Sequence, residues 1–220
     1  MLADKNEYLK KEVEKLQKVW PDNESFTIVC HGHSIPCGYM AQNITQPFDA
    51  YPHLLHQRMA ERFPHSVINV FVSAVGGENC VSGAKRFAQD VLNHRPNLIT
   101  IDYGRNDMFL TAEQVKKSWT QMILEAKAAG VKVILITPAA DSRAIYYDPK
   151  ERKLTDEELA DLIRGLAEQY EIGLADAHGA FWKLFEAGHN RSEYAASVNH
   201  PNRQGHEVIT RCLMEWIPYL

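Results

Sequence analysis

The chain has 220 residues, 45% of them hydrophobic, enough to bury a sizeable core in a single α/β domain. Its formal charge is -4 and its Lys and Arg residues are scattered, which excludes the basic face that a nucleic-acid binder needs. No apolar run reaches the length of a membrane span, and the first twenty residues, MLADKNEYLKKEVEKLQKVW, carry charges throughout without the apolar stretch of a secretory signal. A cytoplasmic location with no membrane contact is therefore expected. The four cysteines, Cys30, Cys37, Cys80 and Cys212, form no C-x-x-C pair, and no structural disulfide is expected.

In the N-terminal segment, Leu9, Val13, Leu16 and Val19 recur at helical spacing between Lys and Glu. They predict an amphipathic helix over 1–20, packed on a main domain at 21–220. Beyond Pro21, short β-branched and apolar runs alternate with segments of helical period. SFTIVCH (25–31), SVINVFVSA (66–74), NLITIDY (97–103) and VKVILIT (131–137) read as strands buried on both faces, and EIGLAD (171–176) as a weaker fifth. Helices are expected near 49–63, 81–94, 111–129, 154–170 and 202–217, with start signals at Thr111 and Thr155. This alternation predicts a five-stranded parallel sheet with helices on both faces. One long irregular segment, Pro138 to Lys153, contains Arg143, Tyr146, Tyr147 and Pro149 and is placed to wall a site.

Ligands of open parallel sheets bind beyond the carboxyl ends of the strands, so the residues that follow each strand should converge. These are His31-Gly32-His33-Ser34, then Val75-Gly76-Gly77-Glu78-Asn79, then Gly104-Arg105-Asn106-Asp107. Near the C-terminus Asn199-His200-Pro201-Asn202 opens the last helix. Each residue also has an ordinary structural use. Ser34 and Asp107 suit helix N-caps, Gly76-Gly77 a tight turn, and Asp102 a buried hydrogen-bond partner.

Taken together, HGHSIP, VSAVGGENCVSGAKRF, DYGRND and NHPNRQGH resemble, in order and spacing, the four blocks of the SGNH (GDSL-like) esterase and acylhydrolase family, from about Phe26 to Glu215. The resemblance implies a flavodoxin-like, three-layer α/β/α sandwich and a serine esterase or acylhydrolase that needs no cofactor. It puts Ser34 at the nucleophile position, the Gly77 backbone N–H and the Asn106 side chain at the oxyanion donors, and His200 at the general base. Gly83 and Arg86 follow at the family's spacing. A serine hydroxyl needs an imidazole to accept its proton, and the tetrahedral intermediate needs donors aimed at the developing oxyanion, so these residue types belong together. His33, Glu78, Arg105 and Asp107 stand at the same strand ends and are expected to meet the substrate, a small-molecule or carbohydrate ester.

The sequence departs from the family's pattern at two positions. His33 stands for the G-D-S aspartate, and Ser197 for the D-x-x-H aspartate that orients the catalytic histidine. The expected substitute is Ser197's own backbone carbonyl, which lies in the local turn whatever the side chain; Glu193 is the alternative. His31, His33, His200 and His206 lack a carboxylate-rich cluster at ligand spacing, so no metal is expected. An acyltransferase on the same site, or a non-catalytic binding protein built on a hydrolase, would share these residues. The polar, aromatic stretch Arg143 to Tyr147 favours a short acyl group on a polar alcohol.

Overall fold

The apolar runs form five strands, β1 (Ser25–Gly32), β2 (Val67–Ala74), β3 (Leu98–Asp102), β4 (Lys132–Ile136) and β5 (Gly173–Ala175), in a computed structural model that describes residues 1–41, 44–139 and 152–219. All pairings are parallel, in the order β2-β1-β3-β4-β5. The winding direction therefore reverses between β1 and β3, and a crevice opens there beyond the strand ends. Residues 140–151, including Arg143, Tyr146, Tyr147 and Pro149, lie outside the described residues.

Among the described residues the helices are α1 (Lys10–Leu16), α2 (Tyr51–Arg62), α3 (Cys80–Asp90), α4 (Gly104–Asp107), α5 (Ala112–Ala128), α6 (Asp156–Tyr170), α7 (Ala177–Glu186) and α8 (Arg203–Met214). Alternation along the strands separates them into two layers. Thr100 of β3, level with Cys30 of β1, meets the Tyr51 hydroxyl of α2 at 3.5 Å, whereas the next β1 residue, His31, packs its ring on Phe87 of α3. Successive strand residues face opposite sides, so α2 and α3 cover opposite faces. Contacts join α2 to α8 and α8 to α7 in one layer, and α3 to α5 and α5 to α6 in the other. The result is an α/β fold with helices on both faces of one parallel sheet.

The expected start signals operate. Thr111 and Thr155 each accept from the amide three residues on, Gln114 at 3.3 Å and Glu158 at 3.1 Å, and those two side chains bond back to the cap residue. Three elements differ from the sequence expectation. The N-terminal helix covers only Lys10–Leu16; Leu9, Val13 and Leu16 join the core, but Val19 is 51% exposed, because the chain leaves the helix before Pro21, whose ring disfavours helical backbone in the residue it follows. Helix α7 lies outside the sequence expectation; Asp176 caps it by accepting from Gly179 N at 3.1 Å. Finally, β2 is an edge strand rather than one buried on both faces, with Val67, Phe71 and Val72 exposed.

Asp102 closes β3 and is 2% exposed. Burial pushes its carboxyl up to about 7, with Arg105 opposing the rise and Asp107 adding to it. A buried neutral carboxyl binds its proton more tightly folded than unfolded, so the stability it contributes is present below 3.8 and is lost as pH rises through about 7. The Asp102→Asn variant lacks this dependence. Its unfolding free energy should rise relative to that of the wild type, the variant gaining relative stability, between about pH 5 and about pH 8 in urea titrations. A difference that does not change with pH would count against the buried neutral carboxyl.

Candidate active site

The register sets the three strand ends level. Gly32 pairs with Ala74 on one side and Asp102 on the other, so the residues following β1, β2 and β3 leave the sheet along one edge. This close approach needs a glycine, since a Cβ at position 32 would overlap the Asp102 carbonyl and the Pro36 ring. Beyond β1 the chain turns tightly: Gly38 N donates to Ile35 O at 2.9 Å and Tyr39 N to Ser34 O at 3.1 Å. That turn holds Ser34, which is only 9% exposed, at the mouth of the crevice.

His200 arrives from the far end of the sequence. Its segment is pinned by Ala196 N and Ser197 N, which donate to His200 O at 3.0 and 3.3 Å, and by Asn202 N, which donates to Tyr194 O at 3.0 Å. Asn202 then caps α8 by accepting from Gly205 N at 3.0 Å. In this setting His200 Nε2 lies 2.8 Å from Ser34 Oγ. On the other side of the ring, the Ser197 side-chain hydroxyl lies 3.3 Å from His200 Nδ1, while among the described residues no hydrogen bond to the Ser197 carbonyl, the expected partner, is seen. Glu193 is directed elsewhere: its carboxylate bonds His189 Nδ1 at 3.1 Å and accepts from Asn190 N at 2.9 Å.

The β2 end supplies the turn Val75–Asn79. Gly77 has φ of +79°, a left-handed conformation that favours glycine, and among the described residues no acceptor meets its N–H. Glu78 follows and turns inward. Its carboxylate receives Arg86 Nε at 3.0 Å, Arg86 Nη2 at 2.6 Å and the Tyr103 hydroxyl at 2.9 Å. Arg86 also donates to Ser73 Oγ at 2.8 Å, and His31 lies 3.1 Å from the Tyr103 hydroxyl through Nε2, so β1, β2, α3 and β3 are tied beneath the turn. Burial, and then the Arg86 charge, hold His31 down at about 4, so it is neutral near pH 7. From α4, the Asn106 amide donates to Glu78 O at 2.8 Å. An amide nitrogen carries two hydrogens, which leaves one for the crevice.

The remaining residues expected at the substrate are committed to the protein. Asp107 is buried, and its two oxygens accept from Cys80 N and Trp119 Nε1, both at 2.8 Å, which anchors the start of α3 to α5. Arg105, 1% exposed, donates to Asp156 at 3.1 Å and to the Ala139 carbonyl. His33 is fully buried beside the nucleophile, its Nδ1 accepting from Ile35 N at 3.2 Å and lying 3.4 Å from Ser34 Oγ, its Nε2 3.5 Å from Asp102 Oδ1. With Glu78 in its ion pair, all four support the crevice rather than project into it. His206 is also buried, with Nδ1 accepting from Tyr51 N at 3.1 Å. Sequence reasoning did not single out Tyr39, whose ring lies 6.2 Å from that of His200 and packs against Gly76. Its position five residues after Ser34 carries no signal, because only the turn and the facing strand end bring it there.

Residues 30–208 match the model of the GDSL-like Lipase/Acylhydrolase family. No curated protein sequence matches the chain. Solved structures of similar fold include LAE5, described as an alpha/beta hydrolase enzyme from the metagenome of Lake Arreo, Spain, at 22% identity and TM-score 0.72 over 89% of this chain and 96% of that one. A catalytic mutant of Axe2, an acetylxylan esterase from Geobacillus stearothermophilus, superposes with TM-score 0.74 at 18% identity, over 89% of this chain and 95% of that one. A two-domain esterase active on acetylated mannans gives TM-score 0.76 at 17% identity, over 96% of this chain and 52% of that one. At these identities the structures speak for the fold alone, whereas the family match spans most of the sequence. The chain belongs to the GDSL-like lipase/acylhydrolase family.

Proposed function

We propose that the chain is a carboxylic ester hydrolase working through an acyl intermediate on Ser34. The observation that carries the reading is the 2.8 Å contact between Ser34 Oγ and His200 Nε2 at the level strand ends, the next of which carry Gly77, whose N–H meets no acceptor among the described residues, and Asn106. In the proposed reaction Ser34 Oγ attacks the ester carbonyl carbon while its proton passes to His200 Nε2. The carbonyl oxygen becomes an oxyanion that receives the Gly77 N–H and the second Asn106 N–H. Collapse breaks the bond to the alcohol oxygen, which takes the proton back from His200. Water, deprotonated by the same imidazole, then releases the acid and regenerates Ser34.

The favoured substrate is a short acyl group on a polar alcohol such as a carbohydrate. Tyr39, set against both His200 and Gly76, narrows the acyl side of the crevice. Two structural neighbours, too distant in sequence to carry a substrate by themselves, are described as an acetylxylan esterase and an esterase active on acetylated mannans.

Ser34→Ala should abolish hydrolysis of p-nitrophenyl acetate and labelling by a fluorophosphonate while circular dichroism stays that of the wild type. Retained turnover would overturn the nucleophile assignment. Asn106→Ala should lower kcat by about 10²–10³-fold with little change in KM, because the lost hydrogen bond belongs mainly to the transition state. An equal loss in affinity for an inert substrate analogue would make Asn106 a ground-state contact instead. Tyr39→Ala should raise turnover of hexanoyl relative to acetyl esters of p-nitrophenol, and an unchanged ratio would remove Tyr39 from the acyl side.

A further inference from the structure

The family's carboxylate position beside the catalytic histidine holds a serine, and that serine is not alone. Its hydroxyl donates to Asn199 Oδ1 at 3.3 Å and lies 3.3 Å from His200 Nδ1. A serine hydroxyl has one hydrogen. If that hydrogen points to the Asn199 carbonyl oxygen, Ser197 Oγ offers only lone pairs to the imidazole, and Nδ1 must carry the ring proton to make the contact. Nε2 is then the unprotonated nitrogen, the form able to take the proton of Ser34, 2.8 Å away. If instead the hydroxyl turned to donate to Nδ1, the neutral ring would carry its proton on Nε2, facing Ser34 with the wrong tautomer.

We propose that Asn199 and Ser197 form a neutral relay that sets the His200 tautomer from the position where the family has its aspartate, with Asn199 as the residue that fixes the direction of the Ser197 hydroxyl. Both are positioning residues, since neither reaches Ser34 or the substrate. The inference rests on the reading of Ser34 and His200 as nucleophile and base. During acylation the Ser34 proton moves to Nε2, the Nδ1 proton stays on the ring, and the Ser197 proton stays directed to Asn199, so no charge moves beyond the imidazolium. A tight turn makes the arrangement possible: Ala196 N and Ser197 N both bond to His200 O, which folds the three side chains onto one side of the hairpin closed by the Ala195–Pro201 bridge.

Two readouts test the relay together. The first needs no activity: nitrogen-15 correlation spectra of the resting protein above the imidazole titration, assigned with a His200→Gln sample, should show Nδ1–H and bare Nε2 in wild type, and a shift toward Nε2–H in Asn199→Ala. The second is kinetic, on p-nitrophenyl acetate. Asn199→Ala should lower kcat about 10- to 100-fold with KM nearly constant, a smaller loss than removal of a full carboxylate. Adding Ser197→Asp to that variant should recover at least about half of the logarithmic loss, since a carboxylate accepts from Nδ1 without help from Asn199. The same substitution should move the acid limb of kcat/KM to higher pH, because an anion favours the protonated imidazole. Ser197→Ala, which keeps Asn199, should also show the mixed tautomer and serves if the Asn199 variant does not fold.

Nε2–H in the wild-type resting state, an unchanged tautomer in Asn199→Ala or, where that variant does not fold, in Ser197→Ala, or failure of Ser197→Asp to recover kcat would each overturn the relay even if Ser34 proves to be the nucleophile. Full turnover in Ser34→Ala would overturn the hydrolase reading instead, with the tautomer spectra standing on their own.

Discussion

The crevice depends on one constraint, the register that levels the ends of β1, β2 and β3. Gly32 permits it by letting β1 run close beside the Asp102 carbonyl, where any side chain would force the strands apart. Once the ends are level, the next residue or two on each strand can meet without long loops, and the site inherits the rigidity of the sheet. The turn after β2 still has to be held, because a left-handed Gly77 whose N–H meets no acceptor among the described residues has little to fix it. The inward-facing Glu78 does that work through Arg86 and Tyr103, and Asn106 adds a bond to its carbonyl. Removing one partner of so buried an ion pair typically costs about 3–5 kcal/mol, because the other charge is left unpaired. That asymmetry makes the turn all or nothing: the network must form whole or expose a buried charge.

Among the described residues, burial and ion pairing perturb the titratable groups beneath Ser34. His31 is held uncharged, Asp102 and Asp107 are pushed up to about 7 and about 6, burial being the main cause in each case, and Glu78 is balanced by Arg86. On the proposed mechanism, attack creates an oxyanion and an imidazolium from two neutral partners. An anionic triad would compensate the imidazolium with a full charge. Stabilisation also comes from the oxyanion donors and from the attraction between the two new charges, which strengthens as water is excluded. A neutral relay behind His200 and a well-braced pair of donors in front of it are therefore parts of one electrostatic arrangement.

Much of this architecture was legible in the residues. The β-branched runs marked the strands because both faces of a central parallel strand are apolar, and Thr111 and Thr155 marked helix starts because the capping box is local chemistry. The exposed side of β2 was not legible, since strand order is a property of the whole sheet and an edge strand reads like a central one until its neighbours are known. Ser34, His200, Gly77 and Asn106 could be picked out because their residue types suit the chemistry and their blocks recur in order. Glu78, Arg105, Asp107 and His33 stood at the same strand ends, yet whether a polar side chain there points to the crevice or under it is decided by partners far away in sequence, such as Arg86, Asp156 and Trp119. The contact between the Ser197 hydroxyl and His200 Nδ1 was not legible either, because hairpin geometry between Ala195 and Pro201 sets which groups come near the ring.

The two departures from the family pattern also make sense together with Asp102. An acid at position 33 would set a second carboxyl against that buried side chain, and two acids sharing a dry site push one of their protons off only at high pH. An imidazole there removes the conflict: Ile35 N occupies Nδ1, and Nε2 lies 3.5 Å from Asp102 Oδ1. The ring is thereby locked by its own neighbours in the chain, and the lone pair that Ser34 would otherwise find at 3.4 Å is already engaged. Of the two imidazoles beside the serine, His200 makes the shorter contact, 2.8 Å against 3.4 Å, so His33 can flank the nucleophile without competing for its proton.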